Sequence, residues 1–357
     1  MAPGRDATRI PGRREWQGSD WARARKIGHF YFAPAARHLP VARIGESCYL
    51  GERVVHIPDG YLSTAVWTGM DALAAPAVIG IARQAQRRFD DARAPLLGVM
   101  GAFVFAAQMI NFPAGVGTSA HLLGGALLAI TLGAPAATVV MSAIIAIQAL
   151  VFQDGGVLVM GANIINMAVV GVWAGYLPFR FAGATRWRSA AIFLGGALSV
   201  LVSAACAMAE LRLSGLPPKT LAVSAVVFLI SAPAEGAITL GVVKALEAIQ
   251  PGFVRQPEPG RRFHAPLLAI GLTAVFLGAV GVLFSSAAPD GIQKLGLVSG
   301  IAGRVKVLLG TPFSGYEASF FASAWMRKAA AGLAGLALIY GVCLAIGRAA
   351  AARKRRV

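Results

Sequence analysis

The sequence predicts an all-α, polytopic membrane helical bundle of seven spans plus a two-span C-terminal appendage, and three observations carry that prediction. The 357 residues are 57% hydrophobic and only 14% charged, against about 25% charged in a soluble chain. Mean hydropathy is +0.65. Apolar runs of roughly twenty residues, the length that crosses a hydrocarbon core, recur from residue 64 onward. The net charge of +17 comes largely from arginines clustered between those runs. Basic loops of that kind point to a lipid bilayer, not to nucleic acid.

Residues 1–54 differ from the rest of the chain. They hold ten Lys/Arg against five acids and show no helical period. No apolar run comes after Arg13-Arg14, so the segment does not read as a secretory or twin-arginine signal. Two readings stay open: a basic, disordered leader, or a stretch upstream of the true start. In the second, Val55 is encoded by GTG and initiated as methionine.

From there nine spans are expected, near 64–84, 95–112, 118–134, 135–153, 163–181, 189–211, 220–247, 265–286 and 329–348. The connection between the third and fourth is minimal, at Gly133-Ala134-Pro135. Arg83, Arg87, Arg88 and Arg93, then Arg180, Arg186 and Arg188, then Arg255, Arg261 and Arg262, and finally Arg353 to Arg356 all fall on one side. That side is expected to be cytoplasmic, which leaves residue 55 outside and the C-terminus inside a bacterial cell membrane. Pro, Gly and charge cluster from Gln250-Pro251 to Gly260 and divide a 55–250 domain from a 251–357 domain. Pro289-Asp290-Gly291 repeats the turn chemistry of Pro58-Asp59-Gly60 on the same face.

The candidate chemistry starts at that first turn, where proline fixes φ and holds His56 just outside the first span. His121 is expected at the same depth, at the start of span three. If the chain begins at residue 55, a free α-amine, the next amide nitrogen and the His56 imidazole can close fused chelate rings on one ion. His121 could then supply a fourth nitrogen. Four nitrogens in a plane suit Ni(II), Cu(II) or low-spin Co(II) and suit zinc or magnesium poorly. Asn111 and Ser119 could orient the imidazoles, and Asn163 and Asn166, three apart on one helix face, could support the site or simply pack. Asp71 and Glu235 are the notable intramembrane acids; Glu235 is expected to brace helices or meet a partner. Cys48, Cys206 and Cys343 lie too far apart to suggest a thiolate site. No G-x-x-x-x-G-K-[ST] loop occurs, so the chain carries no such ATPase motif.

Five ordered motifs bring a family into view. His56-Ile57-Pro58-Asp59-Gly60-Tyr61-Leu62-Ser63, Gln108 to Pro113, Gly117 to Gly125 around His121, Phe152-Gln153-Asp154-Gly155-Gly156 and Gly161 to Met167 together resemble the CbiM/NikM family. These are the substrate-capturing membrane subunits of energy-coupling-factor transporters for cobalt and nickel. The resemblance covers residues 55 to about 247. The tail, with Pro289-Asp290-Gly291, resembles the PDGLE/CbiN-type component fused behind many such subunits, although Ile292-Gln293 stands where that pattern reads Leu-Glu. The resemblance implies transported Ni2+ or Co2+ and no resident cofactor. It implies metal ligands at the amine of residue 55, at His56 and at His121, with a separate transmembrane coupling subunit and ATPase subunits as partners. Thr118-Ser119-Ala120-His121-Leu122-Leu123-Gly124-Gly125 looks like the nickel branch; cobalt members more often carry Ser-His-Pro-Thr-Gly. Two rivals stay in view: a stand-alone, gradient-driven metal carrier, and an intramembrane hydrolase using Ser119 and His121. The second is disfavoured because residues two apart on a helix do not face each other.

Overall fold

Backbone taken out of water must satisfy its own N–H and C=O groups, so the apolar runs become helices. The computed structural model describes residues 56–88, 93–115, 117–254, 264–286 and 288–354; the leader, residue 55 and part of the boundary before residue 264 lie outside these. In chain order come α1 (Thr64–Arg88), α2 (Ala94–Gln108), a hairpin of β1 (Asn111–Pro113) and β2 (Ser119–His121), and α3 (Gly125–Leu132). Then come α4 (Ala134–Ile147), which widens into a π-helical turn at Gln148–Phe152, and α5 (Met160–Asn163), which runs through π-helical turns at Ile164–Gly171 into α6 (Val172–Ala182). The rest are α7 (Arg188–Leu213), α8 (Pro218–Ile249), α9 (His264–Ala279), α10 (Gly291–Ser299) and α11 (Ala324–Lys354). Among the described residues six helices are long and apolar enough to cross a membrane, while α2 and α9 are shorter apolar helices.

The third expected span departs from a simple helix. Its first half is the β1–β2 hairpin, with Asn111 opposite His121, Phe112 opposite Ala120 and Pro113 opposite Ser119. Gly117 (φ 69°) and Gly124 (φ 77°) take left-handed backbone that a continuing helix cannot contain. What remains is eight-residue α3, whose first amides need an acceptor. Glu235 on α8 provides it, taking the Leu123 and Gly124 N–H groups at 2.8 Å each. A carboxylate at a helix N-terminus also meets the positive end of the helix dipole. Glu235 therefore braces two helices, as its position in the sequence suggested. At the other end of α3, Gly133 (φ 84°) makes the one-residue corner into α4.

The centre of the bundle is filled by Met100 and Phe105 of α2, Leu127 and Leu128 of α3, and Met141, Ile144 and Ile145 of α4, all fully buried. Helix α11 packs against α2, and α9 against α11, through small residues, the usual route to close helix contact in a membrane. Gly98 lies under Tyr340, Gly101 under Ile339 and Cys343, and Gly278 of α9 against Gly332 of α11. Residues Cys48–Val357 form one compact unit, so the C-terminal helices belong to the same packed body as the first seven expected spans.

The α9–α11 contact gives a direct test. A Cβ on Gly332 would sit 2.5 Å from the Gly278 carbonyl oxygen, with backbone on the receiving side. Gly332→Val should cost about 1–3 kcal/mol by overpacking, seen as a lower thermal midpoint in detergent. An unchanged midpoint would mean that the two helices are not held this closely.

Candidate metal centre

The Pro58-Asp59-Gly60 turn does not cap itself. Asp59 reaches across to the loop before α5, where its carboxylate accepts the N–H groups of Val157 (2.9 Å), Leu158 (2.9 Å) and Val159 (3.2 Å). Burial raises its pKa above the ordinary carboxylate value, and the three amide bonds pull it back down. The approach requires glycine: a Cβ on Gly156 would collide with Asp59 Oδ1. The next clamp is Asn163. It accepts the Ile57 N–H through Oδ1 at 3.1 Å and donates from Nδ2 to the Ile57 carbonyl at 3.0 Å, where the Gly156 N–H also donates at 2.9 Å. Gly155, left-handed at φ 89°, packs its bare Cα beneath the His56 side chain.

His56 is thereby fixed and only 3% exposed. Its Nδ1 lies 3.2 Å from Asp154 Oδ1, close enough for an ion pair yet misaligned for a hydrogen bond, and neither ring nitrogen has a hydrogen-bond partner. A buried polar group left so costs about 1–3 kcal/mol.

His121 ends β2 and faces this ring. Its Nδ1 sits 2.9 Å from the Leu122 carbonyl. A carbonyl can only accept, so Nδ1 carries the proton and Nε2 presents a lone pair. The two imidazole centroids are 6.2 Å apart with planes at 52°. With metal–nitrogen bonds of about 2 Å, that separation admits a single ion between them. Among the described residues no three His, Cys, Asp or Glu side chains gather into a metal-holding group, so the two imidazoles stand as a pair.

The remaining predicted residues separate. Val55 lies outside the described residues. Asn111 pairs with His121 across the hairpin, which puts their side chains on one face. Ser119 does something else: its hydroxyl donates to the Ala288 carbonyl at 2.7 Å and its N–H to the Pro289 carbonyl at 2.9 Å, tying the hairpin to the second Pro-Asp-Gly turn. Ser119 and His121 share a strand, not a helix, so residues two apart do point the same way. The bond to Ala288 is what leaves Ser119 without the geometry of a nucleophile. Asn166 donates to Glu210 at 2.9 Å; the π-helical turns that begin at Ile164 alter the phase between it and Asn163. Asp71 accepts the Gly161 N–H at 2.8 Å and so supports the start of α5.

Two residues without a sequence-predicted role lead up to His56, the first beside it and the second bonded to the first. Asp154 is one, and an acid ahead of two glycines inside an apolar stretch was a usable signal. Tyr316 is the other, donating to Asp154 Oδ2 at 2.5 Å. Burial, then the adjacent carboxylate, push its phenol pKa well above the ordinary value and keep it a donor. Nothing local in the sequence around Tyr316 announces it.

Against known proteins, residues 56–253 match the family model CbiM, described as the cobalt uptake substrate-specific transmembrane region. A chain of Archaeoglobus fulgidus named for fused nickel transport, NikMN, is 38% identical over 240 residues, 66% of this chain and 77% of that one. The fused nickel transport protein NikMN of Rhodobacter capsulatus is 30% identical over 346 residues, 84% of this chain and 99% of that one. A crystal structure of a truncated transition metal transporter aligns with a TM-score of 0.49 at 31% identity, over 54% of this chain and 98% of that one.

The Asn163 clamp predicts that Asn163→Ala frees both backbone groups of Ile57. Local stability of the His56 segment should fall by about 1–3 kcal/mol, read as faster hydrogen exchange at the Ile57 amide. Unchanged exchange there would show that Gly156 and Asp59 hold the segment without it.

Proposed function

Because the chain belongs to the CbiM family, with a C-terminal component fused behind it, we propose that it captures nickel and carries it across the cytoplasmic membrane as the substrate-binding subunit of an energy-coupling-factor transporter. The observation that carries this is the buried His56 imidazole, without a hydrogen-bond partner and 6.2 Å from the His121 ring. A cation between the rings would satisfy nitrogens that are otherwise stranded. The ligands in this reading are His56, His121 through Nε2 and, in a chain whose first residue is number 55, the α-amine there. Asn111, opposite His121, and Asn163, through its hold on Ile57, support them. Nitrogen donors select nickel or cobalt over magnesium and calcium, and the fused relatives are named for nickel.

In this reading the arginine-rich segments between spans lie on the cytoplasmic side, outweighing Lys294, Arg304, Lys306, Arg327 and Lys328 on the other, so the metal enters from outside and the C-terminus is cytoplasmic. Energy comes from ATPase subunits that act through a separate transmembrane coupling subunit. The rival, a gradient-driven carrier, shares the same metal centre and differs only in its source of energy.

His121→Ala should abolish tight nickel binding to the purified protein, and an alanine variant with wild-type uptake would refute the ligand assignment. In cells, nickel accumulation should require co-expressed coupling and ATPase subunits; accumulation without them would establish the rival. Intact mass of the membrane-purified protein should correspond to a chain starting at residue 55, and a mass that includes residues 1–54 would remove the amine ligand.

A further inference from the structure

Outside the matched membrane region, one residue of the C-terminal segment reaches the metal centre. We propose that Tyr316 is a positioning residue for metal capture: by holding Asp154 it keeps a carboxylate beside His56 Nδ1, where the cation arrives, so that the C-terminal component completes the site. The proposal rests on the reading of His56 and His121 as ligands.

Tyr316 ends a short 3-10 turn, Ser314–Tyr316, and is 7% exposed. Its ring stacks on Phe152, centroids 5.0 Å apart and planes within 16°, and leans on Phe105 at 6.1 Å. Packed on two rings, the phenol has little freedom, and its hydroxyl is aimed at Asp154 Oδ2. A carboxylate is rigid and planar. Fixing Oδ2 therefore fixes Oδ1, the atom 3.2 Å from His56 Nδ1. That nitrogen is the one a chelate through the residue's own amide would use. Asp154 thus places negative charge where the cation arrives.

The backbone supports the same assignment independently. Among the described residues, the non-glycine positions with left-handed φ are Gln153 (56°) and Tyr316 (60°). One immediately precedes Asp154 and the other is its donor. Such conformations are uncommon outside glycine and persist where the surroundings over-determine them. Here one left-handed residue donates to Asp154 and the other adjoins it in sequence. The π-helical turn Gln148–Phe152, a type of irregularity frequent at functional sites, leads directly into it. Two further bonds clasp the same junction: Ser314 to Gln153 Oε1 at 2.6 Å and Thr311 to the Val151 carbonyl at 2.5 Å. Stacking and these two bonds would suffice for anchorage. The phenol hydroxyl is the contact that leads on to the histidine.

Tyr316→Phe keeps the ring and its stacking and removes only the hydroxyl. Nickel titration calorimetry on the membrane-purified full chain should show affinity reduced roughly 10- to 100-fold, the usual effect of losing an outer partner of a ligand. The Ni(II) ligand-field absorption band should shift, while the metal-free thermal midpoint stays near wild type. Tyr316→Phe combined with Asp154→Asn should bind no more weakly than Asp154→Asn alone, because both act through one path. Wild-type affinity in Tyr316→Phe, reduced affinity with an unshifted band, or multiplying losses in the double variant would each overturn the proposal. If Tyr316→Phe fails to fold, Asp154→Asn carries the same measurement, and wild-type affinity there overturns it equally. His121→Ala measured alongside separates the two ideas: retained tight binding in that variant removes the ligand reading itself, whereas its loss beside an unaffected Tyr316→Phe removes only the role of Tyr316.

Discussion

Irregular backbone can sit among apolar helices only if its amides and carbonyls find partners, and in this protein side-chain carboxylates and one carboxamide supply them. Asp59 takes three consecutive N–H groups ahead of α5, Asn163 takes both backbone groups of Ile57, and Glu235 takes the two amides that open α3. Each contact spans about a hundred residues of sequence. These polar groups are costly to bury alone and nearly neutral once paired. The two histidine-bearing segments are held by nothing more regular than this, which is why the site sits at an end of the bundle and not in its core.

The two Pro-Asp-Gly turns show how tertiary context divides identical local sequences. Asp290 does what the motif leads one to expect: it accepts the Ile292 and Gln293 amides and, with the returning Gln293 side chain, forms a capping box for α10. Asp59 cannot do the same, because Gly60 (φ 97°) leads away beneath the Arg304 carbonyl and the carboxylate points at the 157–159 loop. The deciding residue is Gly156, a hundred positions away, whose missing side chain leaves the space that Asp59 enters. No window of sequence around residue 59 contains that information.

The same distinction governs what could be read in advance. Most spans were legible because length and apolarity are local properties. The hairpin was not, since Thr118, Ser119 and His121 read as polar residues at the start of a span and only the left-handed turns at Gly117 and Gly124 break the helix. Placing Ser119 and His121 on a helix made them appear to diverge; on a strand they share a face, and a bond to Ala288 in the C-terminal half decides the fate of Ser119. Asn163 and Asn166 were not separable in sequence, because the π-helical turns that send Asn166 to Glu210 leave no mark in composition. Asp154 was visible as an acid in an apolar run. Its meaning depends on Tyr316, 162 residues later.

The C-terminal segment touches both histidine carriers, and this gives its fusion a physical sense. On one side, the Asn111 N–H donates to the Ser285 hydroxyl, the Ser286 N–H donates to the Asn111 carbonyl, and Ala288 and Pro289 accept from Ser119, so the hairpin that bears His121 is seated on residues 285–289. On the other, Arg304 closes over Gly60, the Lys306 N–H donates to the Asp59 carbonyl, and Tyr316 meets the Asp154 beside His56. Neither carrier is a long helix with a position of its own; each is irregular or a three-residue strand. The C-terminal segment therefore contributes, beside Asp59, Asn163 and Glu235, to the distance between the two rings. A shift in that segment, at Tyr316 or at Ser285, Ser286, Ala288 and Pro289, would change the separation of the imidazoles without altering either one.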